Sequence, residues 1–292
     1  MIANELKEEI EKQLSDFFSE NIKIQKLKPV SGGCINQTIK LETNLKDFFL
    51  KINAAKKFPG MFEAEVKGLQ LLANTNAIKI PSVILSGEFN DTSFLMLEWI
   101  EQGRRGPDFF EDFGRKLAKL HNHSDKLFGL NHDNYIGSLR QFNKQYENGI
   151  DFFVEQRLLK QIDLARENNA ISKSTIDQFE HLFKRLPEII PPEPPSLLHG
   201  DLWAGNYMTD ETGAACIIDP AVYFGFREAD IAMTQLFGGF TSAFYGAYHE
   251  EFPLQNGWEN RMDIFNLYPL MVHVNLFGGG YIEQVKQILR KY

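Results

Sequence analysis

Apolar positions change their spacing along the chain, and this change divides it into two regions. Four of them near the start recur at helical spacing and predict an amphipathic helix: Leu6, Ile10, Leu14 and Phe17. From residue 22 to residue 52, short apolar and β-branched runs alternate with turn-forming residues, which predicts antiparallel strands. Residues 60–74 return to helical spacing, and 81–100 contain two strand-like runs separated by Asn90-Asp91. The first 100 residues are therefore expected to form a small lobe around an antiparallel sheet.

The remainder of the chain has mostly helical spacing. Segments 109–123, 151–168 and 173–186 are predicted as helices, so this region is expected to be mainly α-helical. The run Pro191-Pro192-Glu193-Pro194-Pro195 interrupts the pattern, because proline lacks the amide hydrogen that a helix interior needs. It is predicted to be a stiff extended connector into the next strand, in preference to a recognition ligand for another domain. We predict an α+β fold of two lobes, residues 1–100 and 101–292.

Length and charge narrow the classes of function. A chain of 292 residues is near the size at which one hydrophobic core divides into two, which agrees with two lobes. The net charge of −8 argues against general attraction to nucleic acid or anionic membranes, and leaves small molecules or proteins as expected partners. The acidic start is unlike a secretory signal and no apolar run approaches the roughly 20 residues of a membrane span, so a cytoplasmic protein is expected. Cys34 and Cys216 are too few for a disulfide framework or a metal cluster.

The segment LLHGDLWAGN, residues 197–206, carries the strongest chemical signal. His199, Asp201 and Asn206 have the order and spacing of a kinase-like catalytic loop. Phosphoryl transfer needs a carboxylate that orients the attacking hydroxyl and accepts its proton, and an oxygen ligand for Mg²⁺ nearby. Asp201 and Asn206 fit these two needs. Asp219 follows a short apolar strand and is a candidate second ligand for Mg²⁺.

Each of these pieces alone has a simpler explanation. His-Gly-Asp is a common tripeptide, and an aspartate after a strand is usually a turn or cap residue. Their order and separation, together with the proline connector before them, favour the catalytic interpretation.

Several segments resemble the fructosamine kinase family. The most specific are HGDLWAGN at 199–206, IDPAVYFGFREADIAM at 218–233 and LFGGGYIEQVKQIL at 276–289. Shorter similarities are SGGCIN at 31–36, FFLKIN at 48–53, MFEAEVKGLQLL at 61–72, DNYIG at 133–137 and DFFVEQRLL at 151–159. The resemblance implies a bilobal protein-kinase-like fold and ATP-dependent phosphorylation, with Mg²⁺, of a sugar hydroxyl on small-molecule or protein-bound ketosamines. A monomer or weak homodimer is expected.

Two parts of the first lobe are candidates for binding ATP. Lys51 lies in an alternating strand from which its side chain could reach the phosphates, with Glu65 on the following helix as its orienting partner. Glu63 is the alternative partner, and only one of the two can face the lysine. The loop of Ser31, Gly32, Gly33 and Cys34 lacks the G-x-G-x-x-G spacing, but it resembles the family's shorter loop and is expected to cover the phosphates.

Cys34 would then lie near the nucleotide. Its thiol is either accessible, so that oxidation blocks ATP or links two subunits, or simply a small inert residue, and the second interpretation is favoured.

Other assignments are positional or follow from the resemblance. Glu98 and Ile100 are predicted at the hinge between the lobes, where backbone groups would bind the adenine edge. Trp203 is expected either to stack on the acceptor or to pack in the core. His199 is expected to support the loop, and Asp230 either to brace it through backbone hydrogen bonds or only to cap a helix.

The sequence departs from the family pattern in one segment, and two other functions remain as alternatives. The segment 137–141 lacks the proline expected before Gln141, which puts detailed acceptor contacts there in doubt. The rivals are another small-molecule kinase, acting on an aminoglycoside or a choline-like alcohol, and a catalytically silent nucleotide-binding scaffold.

Overall fold

The computed structural model describes residues 2–30 and 35–292. Five antiparallel strands form one sheet in the order β1-β2-β3-β5-β4. Their bounds are β1 Ile24–Pro29, β2 Gln37–Thr43, β3 Asp47–Ala54, β4 Val83–Phe89 and β5 Thr92–Glu98. The predicted antiparallel sheet is confirmed, and Asn90 takes a left-handed conformation in the turn between β4 and β5. Asparagine tolerates that conformation better than most residues.

Helices cover the sheet on both sides. Helix α1, Asn4–Phe18, packs one face with three buried apolar residues: Leu6, Ile10 and Leu14. Phe17 is 55% exposed and its ring contacts Phe18, so the sequence pattern was wrong about its burial. Helix α2, Met61–Ala73, lies between β3 and β4 in sequence and packs against β4 and β5.

Alternation along β5 joins the sheet to the rest of the molecule. Phe94 and Met96 belong to the core formed with α1, whereas Leu95 and Leu97 point to the opposite face. Those two leucines enter the larger core, which continues through α2 into the helices that follow. The sheet is therefore fixed by both of its faces.

The second region is mainly helical, as predicted. Its helices are α3 Phe109–His121, α4 Gly149–Phe152, α5 Leu159–Glu167, α6 Lys173–Ile189, α7 Glu228–Leu236, α8 Ser242–Glu251, α9 Trp258–Phe277 and α10 Tyr281–Leu289. Three two-stranded ribbons lie between them: β6 Asn134–Ile136 with β7 Leu139–Gln141, β8 Ser196–Leu198 with β11 Tyr223–Gly225, and β9 Tyr207–Thr209 with β10 Ala215–Ile217. Residues 191–195 are not helical and lead directly into β8, in agreement with the predicted connector. The division at residue 100 stays a prediction.

Two helices differ from the sequence prediction. The predicted helix at 151–168 contains a π-helical stretch, Phe153–Leu158, between α4 and α5. Arg157 in this stretch is fully buried, and its guanidinium lies 3.8 Å from the centre of the Tyr223 ring. Helix α6 continues through Pro187 and ends two residues beyond it, at Ile189, whereas the sequence prediction ended at residue 186. None of the helices in residues 2–30 and 35–292 has the length and apolarity needed to span a membrane.

Candidate active site

Two ribbons force two loops to lie side by side. Residues 199–206 connect β8 to β9, and residues 218–222 connect β10 to β11. Since β8 pairs with β11 and β9 pairs with β10, both loops run between the same two ribbons. Two backbone hydrogen bonds join them directly: the N–H of Ile218 donates to the Asn206 carbonyl at 2.9 Å, and the N–H of Ala221 donates to the His199 carbonyl at 2.9 Å. The sequence motifs around Asp201 and Asp219 thus meet in space.

Asp201 and Asn206 form one hydrogen-bonded unit. The Asn206 side-chain amide donates to the Asp201 carbonyl oxygen at 2.8 Å and to its carboxylate at 2.9 Å. Because the nitrogen is used in this way, the amide oxygen of Asn206 is the atom left to act as an acceptor or metal ligand. Burial raises the pKa of Asp201 well above its ordinary value; the hydrogen bond from Asn206 opposes this rise, and the charges of Asp219 and Asp230 add to it.

Asp219 has an unusual backbone conformation. Its φ of 53° lies in the left-handed region, which costs free energy for a residue with a side chain. The side chain is 42% exposed and reaches the Lys51 ammonium at 2.5 Å. The strained backbone therefore directs a carboxylate away from the core toward the lysine of β3.

Lys51 connects the sheet to this site. Its ammonium contacts Glu65 of α2 at 2.6 Å in addition to Asp219. Burial alone would lower the pKa of Lys51, but the two carboxylates outweigh burial and raise it, so the lysine is charged. Glu63 instead pairs with Lys67 at 2.7 Å on the exposed side of the same helix. The structure places Glu65, and not Glu63, beside Lys51.

Asp230 lies beneath the catalytic loop and fixes its backbone. Its carboxylate accepts hydrogen bonds from the backbone N–H groups of His199 at 2.7 Å and Gly200 at 2.9 Å. It is fully enclosed in the first turn of α7, and no cap bond from a side chain is found at that helix start. Burial raises the pKa of Asp230, but hydrogen bonds from His121 and Gly200 outweigh burial and hold the pKa below its ordinary value.

His199 supports the same loop with its side chain. Its Nε2 lies 2.9 Å from the Ile218 carbonyl, and its Nδ1 lies 3.3 Å from the Asp201 backbone nitrogen, which donates to it. Nε2 must therefore carry the hydrogen, and the ring is neutral with one donor and one acceptor. Burial lowers the pKa of His199, which favours this neutral form. This geometry gives the ring a supporting position between the two loops.

Sequence reasoning missed two buried groups behind Asp230. His121, at the end of α3, contacts the Asp230 carboxylate at 3.2 Å through Nε2 and the Tyr248 hydroxyl at 2.8 Å through Nδ1. Both residues are enclosed in the core. A single histidine or tyrosine on an apolar helix face carries no sequence signal of such contacts, so only the structure identifies them.

A second network supports the loop of Asp219 from behind. Gln141 donates to the Ala221 carbonyl at 2.9 Å, and Asn134 donates to the Val222 carbonyl at 2.8 Å. Tyr268 of α9 in turn donates to the Gln141 side chain at 2.8 Å. The side chain of Gln141, in the segment that lacks the expected proline, therefore holds the backbone of the candidate metal-binding loop.

The remaining predicted site residues lie around this centre, except for four that the structure does not describe. Ser31, Gly32, Gly33 and Cys34 lie outside the described residues. The backbone N–H of Glu98 donates to the Ser82 carbonyl at 2.9 Å, and Ile100 is buried two residues further on. Trp203 is 38% exposed, with its ring centre 6.0 Å from that of Phe237. It is therefore not a core tryptophan.

The donor atoms suit a magnesium ion shared with a phosphate. In residues 2–30 and 35–292, no group of three His, Cys, Asp or Glu side chains could hold a metal by itself. Mg²⁺ is commonly bound by one or two protein oxygens together with phosphates and water, which is what Asn206 and Asp219 could provide. A five-stranded antiparallel sheet whose Lys51 contacts one of these two loops of a helical region defines a phosphotransferase of protein-kinase-like fold.

The comparisons with known proteins agree and are more specific. A profile of the fructosamine kinase family matches residues 6–292, so the chain belongs to the fructosamine kinase family. A probable ketoamine kinase of Enterococcus faecium is 41% identical over 91% of this chain and 95% of its own. The chloroplastic protein-ribulosamine 3-kinase of Arabidopsis thaliana is 37% identical over 92% of this chain and 83% of its own. A crystal structure assigned to a fructosamine-3-kinase of Haemophilus somnus matches with a TM-score of 0.88 and 29% identity, covering 97% of this chain and 96% of its own, which confirms the predicted fold class.

Proposed function

We propose that this protein transfers the γ-phosphoryl group of ATP to a sugar hydroxyl of a ketosamine, a rearranged adduct of a sugar with an amine. The observation that carries the proposal is the convergence of Asp201, Asn206 and Asp219 from two hydrogen-bonded loops, opposite the charged Lys51. Family membership and the names of the two relatives support the acceptor class.

Each side chain at the centre would have a separate task. Asp201 would orient the acceptor hydroxyl and take its proton, and its raised pKa makes it a better proton acceptor once it is ionised. The Asn206 amide oxygen and the Asp219 carboxylate would hold Mg²⁺, which supplies positive charge to the phosphates during transfer. Lys51, oriented by Glu65, would contact the phosphates.

The groups around the centre would bind the two substrates. The backbone at Glu98 and Ile100 is proposed to bind the adenine edge, and residues 31–34 to cover the phosphates. Trp203, exposed beside Asp201, would stack on the sugar. His199 and Asp230 would act only as supports, since their polar atoms are used by the loop backbone.

A panel of acceptors tests the proposal. ATP turnover is measured with a fructosamine, a ribulosamine, choline and an aminoglycoside, and NMR locates the phosphorylated hydroxyl. We expect turnover with the ketosamines alone. Preferred turnover of choline or the aminoglycoside would contradict the ketosamine assignment, and no turnover of any acceptor together with ATP binding would favour a silent scaffold.

An Asp201→Asn variant tests the assigned proton acceptor. The amide has the size of the carboxylate but cannot take a proton, so we expect kcat to fall by about 10²–10⁴-fold with ATP affinity kept. Retention of full turnover would remove this role from Asp201. The cytoplasmic location and the monomer or weak dimer stay predictions.

A further inference from the structure

Five aromatic rings form a continuous strip that begins at the catalytic loop. The strip consists of Trp203, Phe237, His273, Phe277 and Tyr281. Ring centres are 6.0 Å apart between Trp203 and Phe237 and 5.1 Å apart between Phe237 and His273. Beyond His273 the strip reaches Phe277 at 5.4 Å and Tyr281 at 4.9 Å. The aromatic strip thus starts two residues from Asp201 and ends at α10.

The aromatic strip is open to solvent. Trp203, Phe237 and Phe277 are 38%, 41% and 56% exposed, and they are three of the five large apolar side chains that are exposed in residues 2–30 and 35–292. The other two, Phe17 and Leu45, lie elsewhere, near α1 and β3. Exposed apolar side chains scattered singly are ordinary, but a contiguous group marks a binding surface.

Two helix ends give the aromatic strip a preference for positive charge. Phe237 follows the last residue of α7, and Phe277 is the last residue of α9, so the carboxyl-terminal ends of both helices lie at the aromatic strip. Carbonyl ends carry partial negative charge, and aromatic faces also attract cations. Lys286, on the adjacent α10, pairs with Glu283 at 2.7 Å.

The turn between α9 and α10 holds the far end of the aromatic strip in place. Gly278 and Gly279 have φ values of 63° and 65°, which residues with side chains rarely adopt. The turn folds α10 back so that Tyr281 packs on His273, and nothing lies within 4 Å of the positions that side chains would take at the two glycines. The far end is therefore fixed in shape and also unobstructed.

We infer that the aromatic strip binds the amine side of the acceptor, and that the amine it fits is a lysine side chain bearing the sugar. This inference rests on the proposed function. With the sugar hydroxyl at Asp201, the aromatic strip offers the rest of the acceptor a continuous exposed path that begins at Trp203, two residues along the chain. The protonated amine then lies near Trp203 and Phe237, and the aliphatic stem of the lysine lies along the farther rings. An open strip, unlike a closed pocket, leaves room for the peptide chain to continue.

Two acceptors of different length test the inference. One is the ketosamine of methylamine, which ends near Phe237; the other is the ketosamine on the side chain of Nα-acetyl-lysine methylamide, which reaches the farther rings. Phe277→Ala removes a far ring, and Phe237→Ala removes a near one. Phe17→Ala is the matched control, because Phe17 is equally exposed at 55% but belongs to α1.

The expected result depends on the position of the ring. In Phe277→Ala the ratio of kcat/KM for the lysine acceptor to that for the methylamine acceptor falls about fourfold, the size expected for losing contact with about one methylene group. In Phe237→Ala both values fall by a similar factor, and in Phe17→Ala neither changes. An unchanged ratio in Phe277→Ala, with both acceptors still phosphorylated, would overturn the inference. Failure of the wild-type protein to phosphorylate either ketosamine would overturn the proposed function, and the inference with it.

Discussion

The buried carboxylate of Asp230 offers the sharpest test of how the catalytic loop is held. Asp230→Asn keeps the size of the side chain but replaces one acceptor oxygen with an NH₂ group. Both backbone N–H groups of His199 and Gly200 point at the carboxylate, so one of them would face another donor in the variant. The negative charge that strengthens both hydrogen bonds is also lost.

The magnitude follows from these contacts. A hydrogen bond to a charged group contributes about 1.5–3 kcal/mol, and an unsatisfied buried donor costs about 1–3 kcal/mol more. One lost bond with one unpaired donor therefore predicts a loss of roughly 3 kcal/mol in the free energy of unfolding. For a chain of this size, about 2 °C per kcal/mol gives a fall of about 6 °C in Tm.

Thermal unfolding followed by circular dichroism measures the shift. Asp163→Asn is the matched control, because Asp163 makes only an exposed ion pair with Arg166 and its loss should change Tm by less than about 1 °C. The turnover of Asp230→Asn, measured well below its Tm, should fall because Asp201 follows the two residues that lose their support. A Tm within about 1 °C of wild type would refute this account of the loop.

Three further outcomes are expected. Glu65→Gln should lower kcat/KM for ATP by at least about tenfold, because Lys51 loses a charged hydrogen bond. Glu63→Gln, on the exposed side of α2, should change kcat/KM for ATP less than about twofold in the same steady-state assay. Gly200→Ala should reduce both Tm and turnover, because φ is 82° there and a Cβ would collide with a carbonyl of the neighbouring loop; normal values for both would contradict this geometry. Burial raises the pKa of Glu11, but hydrogen bonds from Lys23 and the β1 backbone outweigh burial and lower the pKa. The Glu11 carboxylate therefore stabilises the fold at pH values above its unfolded pKa near 4.5. This stabilisation is lost as the pH falls through the lower pKa of the folded state. The difference in Tm between wild type and Glu11→Gln should therefore be largest near pH 7 and shrink below pH 4.5, and a difference independent of pH would argue against the pairing.

Periodicity predicted the elements well where one face of an element is buried. The alternation in β3 and β5 and the helical spacing in α1 and α2 reflect such faces, and these four elements were predicted within a few residues. Phe17 shows the limit, because an apolar residue at the end of a helix fits the pattern whether or not a neighbour covers it. The π-helical stretch around Arg157 had no signal, since it depends on contacts with Tyr223 and other distant rings.

The candidate site was predictable where its chemistry is local in sequence. Asp201 and Asn206 share one loop, and their spacing carries the signal. The choice between Glu63 and Glu65 required the orientation of α2 against the sheet, which the sequence left open. The contacts of His121, Tyr248 and Gln141 join residues more than 70 positions apart, so no local pattern could indicate them.

The pairing of β8 with β11 and of β9 with β10 has a consequence for motion. Both loops run between these two ribbons, and their further supports, Asp230 and Gln141, also lie outside the five-stranded sheet. The sheet reaches these loops through the contact of Lys51 with Asp219. A rotation of the sheet against the helices would therefore change the ion pair of Lys51 with Asp219 and the packing of Leu95 and Leu97. The hydrogen bond between Asp201 and Asn206 lies within one loop and would stay intact.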